Sequence, residues 1–118
     1  MVSSKFLTLA LISCVVPALA VEKPTIYSQE PCTGESAEIE PNNKCTPVPD
    51  TLKGKVTAVK IPEDIVCNFY KDKNCAEPIL YSVEDPGICK FSEWDMDGQK
   101  VSNQSASVLC FDSTLEEL

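Results

Sequence analysis

The chain has 118 residues, with 18 acidic side chains against ten basic ones, no histidine and a formal net charge of −8. All ten basic residues are lysines, so the bidentate guanidinium clamp for carboxylates and phosphates is missing, as is the commonest general base and metal ligand. A chain of this length and sign suits one domain rather than a multidomain enzyme. It also lacks the clustered cations that nucleic acid and anionic membranes require to displace counterions.

Residues 1–20 read as a secretory leader. Lys5 supplies the positive start, residues 6–16 form an almost unbroken apolar run, Pro17 ends it, and Ala18 and Ala20 give the small-x-small cleavage pattern. The run is too short to span a bilayer and no comparable stretch follows, so no membrane partner is expected. Cleavage after Ala20 would leave a single secreted β-domain over 21–118. Of the seven cysteines, Cys14 falls in the leader, and the remaining Cys32, Cys45, Cys67, Cys75, Cys89 and Cys110 read as three disulfides in an oxidising compartment. With no CxxC pair and no histidine, a zinc site is disfavoured.

The mature segment contains a repeat. Tyr27 and Tyr70 each stand five positions before a cysteine, Cys32 and Cys75, and the next cysteines are Cys45 and Cys89. Each copy closes on an alternating segment, 56–61 in the first and 106–111 in the second. This gives halves 24–61 and 65–111, with about six extra residues late in the second. If the halves fold alike, equivalent cysteines pair alike. The expected bridges are therefore Cys32–Cys45 and Cys75–Cys89, leaving Cys67–Cys110 to join the first and last strands of the second half. Residues 65–70 and 79–83 are short and rich in β-formers around the turn-prone 71–74, and Pro86-Gly87 suits a type II turn. Phe91, Trp94 and Met96 lie near the next strand. Pro41, Pro47 and Pro49 oppose a helix in the first half, and no helical period appears beyond the leader.

An aromatic residue, six intervening residues and a glycine, closed by a strand that bears serine, resembles the Greek-key motif of βγ-crystallin-type domains. Tyr27 and Gly34 match it, whereas Tyr70 is followed at that spacing by Glu77. The resemblance implies an all-β fold: a disulfide-stapled β-sandwich of two Greek-key-like motifs. The stretch Cys67-Asn68-Phe69-Tyr70, Asp72 and Cys75, with Pro86-Gly87 and the closing 105–111, is similar to small cysteine-rich secreted proteins of filamentous fungi. Such proteins are frequently discussed as candidate effectors. That likeness implies a monomer that needs no cofactor and binds a host protein or cell-wall component, in the apoplast or inside host cells. Two other readings are a secreted toxin or antimicrobial protein, since some crystallin-like domains are killer toxins, and a proteinase inhibitor presenting residues 46–50 beside Cys45. Membrane-active toxins are usually cationic, so the charge here has the wrong sign for the first of these.

The densest polar feature is the run from Glu93 to Gly98. In an extended strand Glu93, Asp95 and Asp97 share one face, with Trp94 and Met96 opposite. The acids echo an EF-hand loop, yet Gln104 stands where its bidentate glutamate belongs and no helices flank the run, so a solvated acidic strand is the better reading. Crystallin-type calcium sites use a closing segment of two Asn or Asp, two variable residues, Ser or Thr, then Ser. Residues 102–107 place Ala106 at the ligating hydroxyl, and residues 52–57 contain no acid, so neither is expected to hold calcium. Without histidine no Ser–His or Cys–His nucleophile exists, and no catalytic residue is assigned. Asn103-Gln104-Ser105 is an N-glycosylation sequon, expected on a loop.

Overall fold

Short runs of β-branched and aromatic residues, broken by Pro, Gly and Asn-rich turns, make every regular element among the described residues a strand or a single 3-10 turn. The computed structural model describes residues 22–96 and 98–114; the leader expected at 1–20 and Asp97 lie outside the described residues. The first half runs β1 (Thr25–Gln29), β2 (Thr33–Glu38), β3 (Asn42–Pro47), a 3-10 turn at Asp50–Leu52 and β4 (Ala58–Lys60). The second runs β5 (Ile65–Tyr70), β6 (Pro78–Glu84), β7 (Gly87–Ile88), a 3-10 turn at Phe91–Glu93, the small hairpin β8 (Asp95–Met96) and β9 (Gln99–Lys100), and β10 (Ser107–Asp112). The residues that the second half has in excess form the β8–β9 hairpin.

Two four-stranded antiparallel sheets result, ordered β2-β1-β4-β7 and β3-β10-β5-β6. Their orders mirror each other. Each half contributes three strands to its own sheet and sends its third strand, β3 or β7, to the edge of the other. Neither half can therefore close its sheet alone. The inner faces bury Ile26, Val59 and Phe69 with Phe91, Val108, Leu52 and Val101, all at most 1% exposed. Phe69 of β5 meets Phe91 of the second 3-10 turn edge-to-face, with ring centroids 5.5 Å apart.

The exchange of third strands corrects the expected disulfides. Cys32–Cys45 and Cys75–Cys89 do not form; the bridges are Cys32–Cys89, Cys45–Cys75 and Cys67–Cys110. Cys45 rides on β3 to the second sheet, beside the β5–β6 turn that carries Cys75. Cys89 follows β7 on the first sheet, beside the β1–β2 turn that carries Cys32. Equivalent cysteines do pair alike, but across the halves. Cys32 and Cys75 also share a backbone conformation, each with φ of 57°. Cys67 and Cys110 are direct cross-strand partners in β5 and β10, with Cα atoms 4.1 Å apart and both side chains fully buried.

Where β7 begins, only glycine fits. Gly87 has φ of +103°, and a Cβ built there would sit 2.2 Å from the carbonyl oxygen of Val59, a backbone atom that cannot step aside. Gly87→Ala is expected to cost about 2 kcal/mol or more, combining left-handed strain with loss of the β4–β7 pairing. A denaturant midpoint indistinguishable from the parent would contradict this.

Candidate functional site

The register of the two halves decides where functional groups fall. Ala58 stands opposite Tyr27, and Ser107 stands opposite Tyr70. The Thr57 N–H donates to the Tyr27 carbonyl as the Ala106 N–H does to Tyr70, and Val48 and Phe91 donate to Ala106 and Thr57 in the same mirrored way. Leu52 thus corresponds to Val101, Gly54 to Asn103 and Thr57 to Ala106. This slips the sequence alignment of 56–61 with 106–111 by one residue, and the segment equivalent to 102–107 is 53–58.

The slip bears on calcium. In the corrected register Thr57 stands at the ligating-hydroxyl place of the motif, with Lys53 and Gly54 at its two acid places. Thr57 Oγ1 is buried without a hydrogen-bond partner and lines a cleft of about 770 Å³ with Ser28, Gln29, Glu35, Lys55 and Asn103. One carboxylate beside an ammonium does not fit a cation that takes six to eight oxygens with several carboxylates among them. In the second loop the hydroxyl place is Ala106, and Ser107 Oγ is committed to the backbone, donating to the Asp72 carbonyl at 2.6 Å. Among the described residues no three His, Cys, Asp or Glu side chains converge on a metal position.

The acids singled out in the sequence do not gather into a site. Glu93 ends the second 3-10 turn and Asp95 opens β8 opposite Lys100; both are exposed, and Asp97 lies outside the described residues. Asn103 is exposed in the turn before β10 at φ of 63°, and its N–H donates to the Val56 carbonyl of the first half. Ser105, the hydroxyl of that sequon, is 2% exposed and its Oγ has no partner. Residues 46–50 lie along the second sheet, with Val48 buried and its N–H bonded to Ala106.

The glycine missing from the second motif has a structural substitute. Tyr27 pairs with Ser36 but Tyr70 pairs with Pro78, because the register of the second hairpin shifts between Phe69 and Tyr70, and Glu77, at the sequence place of Gly34, does not adopt that glycine's positive φ. The Asp72 carboxylate closes the hairpin: Oδ1 accepts the N–H of Ala76 at 2.9 Å and of Glu77 at 2.8 Å, and Oδ2 accepts that of Asn74 at 3.1 Å. These bonds favour the ionised form, the Glu77 N–H most, and hold the carboxyl below its ordinary value. A lowered folded-state pKa stabilises above the unfolded value, and that stability is lost as pH falls through the folded one. Asp72→Ala is therefore expected to be less stable than the parent at neutral pH, with the two unfolding curves converging on acidification. A gap that stayed constant across a pH series of denaturant melts would contradict this.

What the fold does display is surface. Glu63, Asp64, Glu84 and Asp85 are exposed acids around one end of β5 and β6. Tyr81 of β6 and Trp94, which follows the second 3-10 turn, are 54% and 50% exposed, large rings left in water while the two core Phe rings are fully buried. Tyr81 and Met96 line one cleft of about 260 Å³ with Pro78, Gln99 and Lys100. Trp94 was visible in the sequence beside the acids; Tyr81 was not, because its exposure depends on the path of β6. Among the described residues no helix is long and apolar enough to cross a membrane.

No protein-family model and no curated protein matches the chain. Solved structures do. It is similar to a βγ-crystallin domain from Clostridium beijerinckii, with 16% identity over 77% of this chain and 99% of that one and a TM-score of 0.55. It is similar to a βγ-crystallin from Ciona intestinalis, with 13% identity over 75% and 98% and a TM-score of 0.57. The N-terminal domain of protein S matches at 13% identity over 77% and 97%, with a TM-score of 0.51. Identities this low speak for architecture alone, and the exchanged third strands and mirrored sheet orders agree with it: the chain has the βγ-crystallin fold, stapled by three disulfides.

Proposed function

We propose that the chain is a secreted binding protein, released by a fungus as an effector, that acts by contact with a host protein and not by catalysis. The observation that carries this is the commitment of all six cysteines of 21–118 to bridges, two of which tie one half to the other. Such bracing stabilises a small domain where proteases and oxidants are present and holds its surface residues in fixed relative positions. Net charge of −8 sets the sign of the partner: association favours basic surfaces and weakens with salt. The same sign disfavours a toxin that must approach anionic lipid.

The test is a pull-down of the oxidised, leader-free protein from host tissue with mass spectrometry of what is retained, paired with infiltration of the protein into that tissue. A specific retained protein and a changed host response support the reading. Retention of nothing, with no response, overturns it.

A further inference from the structure

We infer that Asn103 carries an N-linked glycan, and that the glycan is transferred before the closing segment of the second half docks, so that folding itself sets the occupancy of the site. This rests on the reading of the chain as secreted, which brings it to a glycosylating compartment.

Transfer to Asn103-Gln104-Ser105 needs two of its groups, the asparagine amide as acceptor and the hydroxyl two residues on for recognition. The fold treats them in opposite ways. Asn103 is exposed in the turn before β10 and lines the cleft of about 770 Å³, which leaves room for a sugar. Ser105 is 2% exposed. An enzyme that meets the folded domain finds the amide without the hydroxyl.

The backbone around the sequon is also held from three sides. The Asn103 N–H donates to the Val56 carbonyl, the Ala106 N–H donates to Tyr70, and the Ala106 carbonyl accepts the Val48 N–H. Val48 and Val56 belong to the first half and Tyr70 ends β5, so Ser105 is covered only once the two halves have met. Further along β10, Cys110 is bridged to Cys67 and fixes the strand. The acceptor is therefore the chain before these contacts form.

The hydroxyl supplies an independent argument. Buried serines stand on both sides of Ala106. Ser107 Oγ donates to the Asp72 carbonyl and ties β10 to the β5–β6 turn. Ser105 Oγ has no hydrogen-bond partner. A buried hydroxyl left unpaired is a net cost to the folded state, so the fold itself gains nothing from serine at 105. The use that remains for this hydroxyl is in the sequon, ahead of folding. In the transfer, Asn103 Nδ2 loses a proton and bonds to the anomeric carbon of an oligosaccharide carried on a polyprenyl diphosphate. The bond from that carbon to the diphosphate oxygen breaks, and polyprenyl diphosphate leaves. The glycan then stands over the cleft that holds Thr57.

The full chain is expressed with its own leader in yeast, with and without a pulse of dithiothreitol that delays disulfide formation. Secreted and cell-associated products are compared by gel mobility before and after removal of N-glycans. Untreated cells should yield a mixture of bare and glycosylated chains, and the pulse should raise the glycosylated fraction several-fold, as should Cys67→Ala with Cys110→Ala without reductant. Asn103→Gln and Ser105→Ala should each abolish the mobility shift. Oxidised and reduced leader-free chains are also offered to detergent-opened microsomes supplied with the lipid-linked donor, where only the reduced chain should be modified. Bare Ser105→Ala, refolded and oxidised, should unfold at a higher denaturant midpoint than the bare parent; a lower midpoint would give the hydroxyl a place in the fold and overturn the assignment of its use to the unfolded acceptor. A chain that leaves the cell bare under both conditions, or an oxidised chain modified as readily as the reduced one, would overturn the proposal and leave the secreted reading intact. A chain retained in the cytosol with its leader attached would overturn the secreted reading, and the proposal with it.

Discussion

Replacing Cys32 and Cys89 together by alanine is expected to lower the free energy of unfolding by about 4 kcal/mol, on the model in which a bridge restricts the unfolded chain in proportion to the logarithm of the loop it closes. The two residues are 57 apart in sequence, the longest separation of the three bridges. The loop they close includes all of β2 to β7, so the bridge also restrains the strand exchange itself. Unbridged, the chain could still pair β7 with β4, but through only Val59–Ile88 and Lys60–Gly87. Chemical denaturation of the double variant under non-reducing conditions measures the effect. A loss below about 1 kcal/mol would mean that strand pairing alone holds β7 in place.

Phe91→Ala should be of similar size, about 3–5 kcal/mol, as for other fully buried aromatic truncations. Its ring is 0% exposed and packs edge-to-face on Phe69. Its position matters as much as its size. The Phe91 N–H donates to Thr57 in the first half, while its ring reaches Phe69 in the second sheet, so one residue fastens both halves. The cavity left behind would lie between sheets already pinned by disulfides, with little freedom to collapse. Phe91→Leu, which keeps most of the volume, should cost less than about 1.5 kcal/mol. Equal and small losses for both variants, read from denaturant midpoints, would contradict the packing described.

Much of this architecture was legible because it rests on local signals. Tyr27 and Tyr70, each five residues before a cysteine, marked the two hairpins, and the β-formers of 65–70 and the alternation in 106–111 marked β5 and β10. The excess residues of the second half also had a structural meaning, the β8–β9 hairpin. Of the cysteine pairings, Cys67–Cys110 was legible and the other two were not. A repeat in the sequence says that Cys32 resembles Cys75 and Cys45 resembles Cys89, but two pairings satisfy that symmetry equally. The choice between them is made by β3 and β7 crossing to the opposite sheets, a long-range event with no local mark. The one-residue slip in the closing segments arose because β4 has only three residues and its alternation is too short to fix a phase. That slip hid Thr57 at the hydroxyl place. Glu93 and Asp95 are exposed, and among the described residues no three His, Cys, Asp or Glu side chains converge on a metal position, while Trp94 and Tyr81 are the exposed large hydrophobic groups.

The account depends on each half lending a strand to the other and being sewn to it there. Proteolysis of the unreduced protein followed by mass spectrometry of the linked peptides tests this most directly. The account predicts Cys32 joined to Cys89 and Cys45 joined to Cys75. Peptides joining Cys32 to Cys45 and Cys75 to Cys89 would contradict it, because they would place each third strand beside its own hairpin.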